Sequence, residues 1–347
     1  MREKNLRLRS RVFAQLKKSI EGSFALKLVW GFVNLLRTAL KRQGVCKGMN
    51  DVPTFQEEGY YIKMLETLIK VAEANKGTAL GEDDRLLDAE GLFMKFIGHA
   101  ASALYLFRST TLPSIKVTDR GIGFFDPGSI NVLGRAALES FLVFHYVFVE
   151  PRSDDEKDFR YYSWLRASYI DRQKFPSWPE EGKKQLTDDK KIIDALKEKI
   201  NNNSFFKQLD KEKKEKLLRK MEKEKEKEKG AWRLQWQNGQ WAPKSWTNIG
   251  VSAGLSEIHA KQFYSYLCMW AHSGCQSAQQ VSNAQNKVTQ KALCVATMKL
   301  IMIAMANMIK AYCQMFVKSK DIIQKDEDAK KLIDQWVHIG TFLQNEF

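Results

Sequence analysis

The segment Gly134–Val149, GRAALESFLVFHYVFV, constrains this chain most. It is apolar nearly all round, and a helix of that kind belongs in the middle of a protein. Arg135 and Glu139 are the exceptions, four residues apart on one face, with Leu142 and Tyr146 extending the stripe. A buried ion pair is costly unless its remaining hydrogen bonds are met. Charges kept at such a place therefore predict further polar partners converging on them. They suit a functional centre or a structural pair that fixes helix register. His145 lies ten residues beyond Arg135, about 80° away around the helix, and so off the face of the pair.

Helical patterns surround this segment. Residues 55–74 and 83–108 read as two helices. The second keeps Leu86, Phe93, Phe96, Ile97, Ala100, Leu104 and Phe107 on one side. The Gly-rich stretch 113–128 reads as a loop, and Asp126 followed by Pro127 reads as an N-cap and first turn opening the central helix. Pro151 stops that helix. Further helices are expected over 155–172, 256–273, 286–318 and 326–344, and Trp178 sits in a turn between two prolines. Asn201–Asn203 breaks a helix, Ser204 can cap the next one and Gly230 can end it. Asn238-Gly239 signals a two-residue hairpin that sets Trp236 opposite Trp241. This aromatic clip suits packing on the helices or stacking of bases. No other strands are expected. The fold class is all-α: a multi-helix bundle with a buried central helix, a charged helical arm and one small Trp-rich hairpin.

Charge divides the chain. Of a formal +15, residues 1–42 carry +9 and residues 211–229 carry +4, so the remainder is nearly neutral. In the first segment Leu6, Phe13, Leu16 and Ile20 recur at helical spacing, with Lys and Arg on the other side. Such a basic amphipathic extension suits nucleic acid or another anionic surface, a membrane included, or a helix docked on the body. The alternating Glu and Lys of 211–229 support an exposed helix without an apolar face, a solvated arm. Residues 44–53 read as a linker. The expected organisation is a basic extension over 1–50 and a helical domain over 51–347, with 187–230 as a charged helical insertion.

Five scattered cysteines without CxxC spacing fit a reducing cytoplasm. No secretory signal is evident, because Lys27 interrupts the apolar run 24–36 and no cleavage site follows. Residues 292–316 are apolar enough to suggest a span, but Lys299 and Lys310 share one face with Asn307 and Gln314 near it. That pattern describes a bundle helix with one wet edge, not an integral membrane segment.

Chemistry-bearing residues are few. Tyr264, Cys268, His272 and Cys275 form one helical stripe. Cys268, His272 and Cys275 are three possible zinc ligands without a fourth, so no metal and no cofactor is expected. Neutral His272 reaching inward to a carboxylate such as Glu139 would be a general acid/base near neutral pH, or simply a satisfied core histidine. His99, beside Ser102 in a polar gap, has the same two readings, whereas His259 and His338 read as peripheral. Dinucleotide, P-loop, HExxH and GxSxG motifs are missing. Small helical nucleases of the HEPN type carry Arg and His close together on one helix. The ten-residue interval here departs from that pattern, so a ribonuclease site would have to be assembled from several helices.

The run Phe125–Glu139, FDPGSINVLGRAALE, resembles the central helix of a bacterial helical family known only as a domain of unknown function. The resemblance extends to an upstream His99 and Ser102, to Phe159-Arg160-Tyr161-Tyr162, and to a Tyr-x-x-Leu-Ser-x-x-x-His pattern. That pattern matches Tyr264–His272, with Cys268 standing where Ser is usual. It covers residues 55–175 and 231–315 and implies an all-α fold with a shared polar centre of His99, Arg135, Glu139 and His272. The resemblance supplies no activity; the basic extension and the polar centre are what lead to the expectation of a nucleic-acid-associated effector of toxin or phage-defence type, with a metal-independent ribonuclease as its candidate chemistry. In that role His272 would be acid/base, Glu139 its orienter and Arg135 the phosphate holder. The alternatives are a non-catalytic helical interaction protein, binding another protein or a second copy, and a peripheral membrane protein acting through residues 1–42.

Overall fold

Two buried side chains show how tightly the centre is drawn together. Phe93 and Tyr312 stack with ring centroids 3.8 Å apart, and both are essentially excluded from solvent. They belong to helices far apart in sequence that clamp the central helix between them. The computed structural model describes residues 57–76, 84–108, 110–116, 121–175, 179–223, 232–272, 275–283 and 287–342. The expectations for the basic segment 1–42, the linker 44–53, the Trp178 turn and a helix end at Gly230 lie outside these residues.

The helices in chain order are α1 (Glu58–Ala74), α2 (Asp84–Phe107), α3 (Pro127–Phe144), α4 (Asp154–Arg172) and α5 (Glu180–Asn202). Next come α6 (Ser204–Gln208), α7 (Lys211–Lys223), α8 (Trp246–Ser252), α9 (Glu257–Ala271) and α10 (Cys275–Asn283). The last three are α11 (Lys287–Met315), α12 (Val317–Lys325) and α13 (Glu327–Phe342). The all-α class stands. α3 is the axle: α2, α9 and α11 pack along it, α1, α12 and α13 close around α11, and α4 pairs with α5. Its start is fixed locally. Asp126 accepts the Ser129 N–H at 2.9 Å, and Pro127 supplies the first helical φ without wasting a donor. Its end is unusual. After Phe144 the chain widens into a π-turn, His145–Val149, and the Glu150 N–H reaches back five residues to the His145 carbonyl at 2.8 Å.

α3 and α11 meet at Gly134. A β-carbon there would stand 2.5 Å from the Thr297 methyl, so only glycine permits this crossing. Beside it the buried Thr297 hydroxyl donates to Asn131 Oδ1, and Asn131 Nδ2 donates to the Pro127 carbonyl at 2.7 Å. The wet edge read on α11 is present, because Lys299 pairs with Glu57 and Lys310 with Asp334, each at 2.9 Å. Leu293–Met315 and Pro127–Val149 are long and apolar enough to cross a bilayer, and in this fold both are enclosed mostly by neighbouring helices.

Several expectations need correction. The stretch read as a loop contains a second hairpin, β1 (Thr110–Lys116) with β2 (Gly121–Phe124), whose register shifts between Leu112 and Lys116. Pro113 and the glycines hid it, and the shift is how the ladder tolerates them. The long C-terminal helix ends at Met315, and α12 starts afresh. Asn203, not Ser204, caps α6 by accepting the Phe206 N–H at 3.2 Å. His259 is buried, with Nδ1 2.9 Å from the Gly340 carbonyl and its ring stacked on Phe263. The charged arm also builds a core. Leu217 of α7 is wholly buried with Phe159, Ile200 and Phe206, against Tyr162, Leu234 and Trp241. One leucine among lysines suffices because the neighbours supply the aromatic surface.

The Trp-rich hairpin forms as read. β3 (Leu234–Gln237) pairs antiparallel with β4 (Gln240–Pro243), and Trp236 stands opposite Trp241. Asn238 and Gly239 both take positive φ, 51° and 73°, the conformation such a two-residue turn demands. Tyr146 of the π-turn moors the hairpin. Its hydroxyl accepts the Leu234 N–H at 3.1 Å and lies 3.2 Å from the Leu234 carbonyl, to which it donates.

Candidate functional site

Three of the four residues singled out in the sequence meet at one place. Arg135 and Glu139 lie on the face of α3 that meets α9, and His272 is the residue that ends α9. Ser256 caps the start of α9 by accepting the His259 N–H at 3.2 Å. This start sets the register that brings Tyr264 alongside Glu139 and His272 two turns further on.

Arg135 is the hub. Its Nε donates to Glu139 Oε1 at 3.0 Å, Nη1 lies 3.0 Å from His272 Nε2, and Nη2 donates to the Tyr264 hydroxyl at 3.4 Å. Tyr264 donates in turn to the same Glu139 oxygen at 3.1 Å, and the guanidinium lies 5.5 Å from the centre of its ring. A guanidinium has only donors to offer. His272 Nε2 must therefore be the acceptor, which makes the imidazole neutral with its proton on Nδ1. The sequence reading joined His272 to Glu139. Instead Arg135 stands between them, because its fork reaches both a carboxylate one turn along α3 and a ring on the next helix.

The cluster is partly open. Arg135 and Glu139 side chains are 21% and 31% exposed, and His272 is exposed. Burial works to lower the Arg135 pKa, but the Glu139 hydrogen bond and charge outweigh it and hold the pKa above the usual value. Burial raises the Tyr264 pKa, and the Glu139 charge pushes it the same way, so the phenol keeps its proton. His99 stays apart on α2. Its Nε2 is buried without a hydrogen-bond partner, burial and then Lys95 lower its pKa, and no hydrogen bond joins it to the Arg135 cluster. Cys275 opens α10 beyond the end of α9, so the stripe read through it does not continue as one helix. Among the described residues no group of three His, Cys, Asp or Glu side chains is placed to hold a metal ion.

Two contributors come from the hairpin region, and sequence reasoning missed Arg233 among them. Trp246 opens α8, and its ring lies 6.0 Å from that of Tyr264. The Arg233 guanidinium lies 3.8 Å over Trp246. The signal was present, since extending the hairpin ladder one pair beyond Leu234 and Pro243 sets Arg233 against Lys244, two residues before Trp246. The Lys244 N–H indeed donates to the Arg233 carbonyl at 2.5 Å. Behind this layer lies a buried ionic knot on the π-turn. Arg160 donates to Glu150, Glu156 and the Tyr146 carbonyl at 2.6, 2.6 and 2.9 Å, and Lys244 bonds Glu150. Burial would raise the Glu150 pKa, yet these two cations hold it below the usual value. His145 points elsewhere and belongs to the interior, where burial depresses its pKa to about 4.

A family model, described as a family of unknown function, DUF5677, matches residues 100–288. The chain belongs to this family. The matched segment carries Arg135, Glu139, Arg233, Trp246, Tyr264 and His272, while His99 falls one residue outside it. Neither a curated protein nor a solved structure matches the chain.

Proposed function

We propose that the rim formed by Arg135, Tyr264 and His272 cleaves phosphodiester bonds in RNA without a metal ion. The observation that carries this reading is His272 Nε2 lying 3.0 Å from a guanidinium nitrogen of Arg135 at the protein surface. It sets a proton acceptor beside an anion holder, the two groups that internal transesterification of RNA requires. An incoming phosphate takes over the Arg135 donors, and the Nε2 lone pair is released toward the neighbouring ribose.

In the reaction His272 Nε2 accepts the 2′-hydroxyl proton, and the 2′-oxygen attacks phosphorus. Arg135 and the Tyr264 hydroxyl donate to the non-bridging oxygens, whose charge grows in the transition state. The bond from phosphorus to the 5′-oxygen breaks, and that oxygen takes a proton from water. The hydroxide left behind recovers the proton from His272. The products are a 2′,3′-cyclic phosphate and a 5′-hydroxyl end. Glu139 positions the machinery, since a single carboxylate oxygen holds both Arg135 and Tyr264. An enzyme that reads no sequence while cutting RNA harms its own cell unless restrained, which fits an effector of toxin or phage-defence type. The basic segment 1–42 would add anionic affinity to such an effector.

The test uses the full chain and an end-labelled single-stranded RNA in the presence of a chelator. His272→Ala is expected to lower the cleavage rate by ~100-fold or more, the usual contribution of a general base. Arg135→Ala is expected to lower it comparably, with both variants unfolding cooperatively. Wild-type protein that leaves RNA intact, or His272→Ala that cleaves at the wild-type rate, would refute the reading.

A further inference from the structure

Arg233 is a half-buried cation that the site described so far does not use. Its side chain is half-buried, its Nε has no hydrogen-bond partner, and among the described residues no carboxylate pairs with it. Among the described residues, its side chain makes one hydrogen bond, from Nη1 to the Lys244 carbonyl at 3.3 Å. By contrast, Arg135, Arg160 and Lys244 nearby each have a carboxylate within salt-bridge distance. Removing a guanidinium from water without an anion is costly, so folding keeps Arg233 in place at a disadvantage. Burial accordingly lowers its pKa, opposed in part by the more distant Tyr264, Glu139 and Tyr146.

Geometry shows what the disadvantage serves. The hairpin ladder fixes the Arg233 backbone against Lys244, and Trp246 supports the face of the guanidinium at 3.8 Å. Trp246 itself leans toward Tyr264, the residue hydrogen-bonded to Arg135 and Glu139. Two guanidinium groups therefore flank one aromatic pair, Trp246 and Tyr264. One is held by a carboxylate, and the other spends Nη1 alone, on the Lys244 carbonyl, among the described residues. A flat cation stacked on an aromatic ring keeps its edge donors directed outward, the arrangement suited to phosphate oxygens.

We infer that Arg233 is a second phosphate-binding group of this site, taking the phosphate next to the one that Arg135 holds. The ligand is therefore a nucleic-acid strand with consecutive phosphates, not a mononucleotide. This deepens the RNA reading and rests on it for the identity of the strand. The Trp-rich hairpin is then part of the site, and Tyr146 and the π-turn are what aim it.

The experiment measures binding of a fluorescent ten-nucleotide single strand with 2′-O-methyl groups, which lacks the attacking hydroxyl and so binds without reacting. Wild type and Arg233→Met, both as the full chain, are titrated across a range of salt. Methionine fills similar space without charge. The slope of log affinity against log salt is expected to shrink by about 0.7 in the variant, the share of one phosphate contact on a single strand. The Tm of the free variant is expected to equal or exceed that of the wild type, because a half-buried charge without a carboxylate partner has been removed. A slope equal to that of the wild type overturns the inference. So does a Tm several degrees lower, which would make Arg233 a structural fixture. If the slope shrinks while wild-type protein leaves ordinary RNA intact, the cleavage reading falls and Arg233 stands as a strand-binding group. If wild type does not bind the strand, both fall.

Discussion

Replacing Gly134 with alanine tests whether the α3–α11 crossing is as close as described. The new methyl carbon would stand 2.5 Å from Thr297 Cγ2, 3.5 Å from Leu267 Cδ2 and 3.7 Å from Ile301 Cδ1. The last two distances are ordinary contacts, so Thr297 alone must yield. It is wholly buried, and rotating its methyl away also swings its hydroxyl from Asn131 Oδ1. Overpacking of this kind costs about 1–3 kcal/mol, and an abandoned buried acceptor adds roughly 1–3 kcal/mol. Alanine returns about 1 kcal/mol through its better helix propensity. The expected net loss is thus about 1–5 kcal/mol. Urea unfolding followed by circular dichroism measures it. The decisive comparison is a double-mutant cycle with Thr297→Ser, which removes the methyl and keeps the hydroxyl. In that background Gly134→Ala is expected to be neutral or stabilising by up to about 1 kcal/mol. An equal penalty with and without the Thr297 methyl would refute the reasoning, because the clash would then not be the source of the cost.

Two further predictions concern groups around the centre. Burial raises the Glu90 pKa to about 7, so between about pH 4.5 and 7 the folded protein binds a proton that the unfolded chain releases. Stability from this group is present at low pH and is lost as pH rises through that window. For a half-solvated group the effect is about 1 kcal/mol after screening. Glu90→Gln is expected to remove that part of the pH dependence and to raise stability at pH 8, and urea midpoints at pH 5 and 8 that move in parallel with wild type would contradict it. Tyr146→Phe removes the hydroxyl that serves Leu234 at 3.1 Å, at a cost of about 1–2 kcal/mol. Hydrogen exchange is expected to rise over residues 232–243 with α3 unchanged; uniform loss of protection would show that the hairpin is not moored there.

The parts of the fold visible in the sequence are those fixed by short-range chemistry. The Asp126 cap, the Asn238-Gly239 turn and its Trp236–Trp241 pairing, and the Arg135–Glu139 step on α3 each need only neighbouring residues. The apolar girth of α3 likewise announced its central position. The π-turn at His145–Val149 left no trace, because one extra residue per turn changes no composition. The arm was misjudged through Leu217, whose burial depends on Phe159 and Phe206 from other helices. Three of the four candidate residues come together, Arg135, Glu139 and His272, but their wiring was not legible. Charge complementarity suggested His272 with Glu139, whereas the reach of the Arg135 fork decides the contact. Arg233 was invisible for a related reason: a lysine- and arginine-rich chain offers many cations, and only tertiary structure shows that this one is half-buried beside Trp246 with its Nε unpartnered.

The central claim is that His272 and Arg135 promote attack by a ribose 2′-hydroxyl. The most direct measurement gives the full chain an RNA containing one 2′-deoxynucleotide at a position that is cut in the all-ribose strand, with chelator present. The account predicts that cleavage stops at that linkage alone, continues at the others, and leaves 2′,3′-cyclic phosphate and 5′-hydroxyl ends. Cleavage at the deoxy position, or products carrying 5′-phosphate, would contradict it, because neither can arise from a 2′-oxygen attacking its own phosphate.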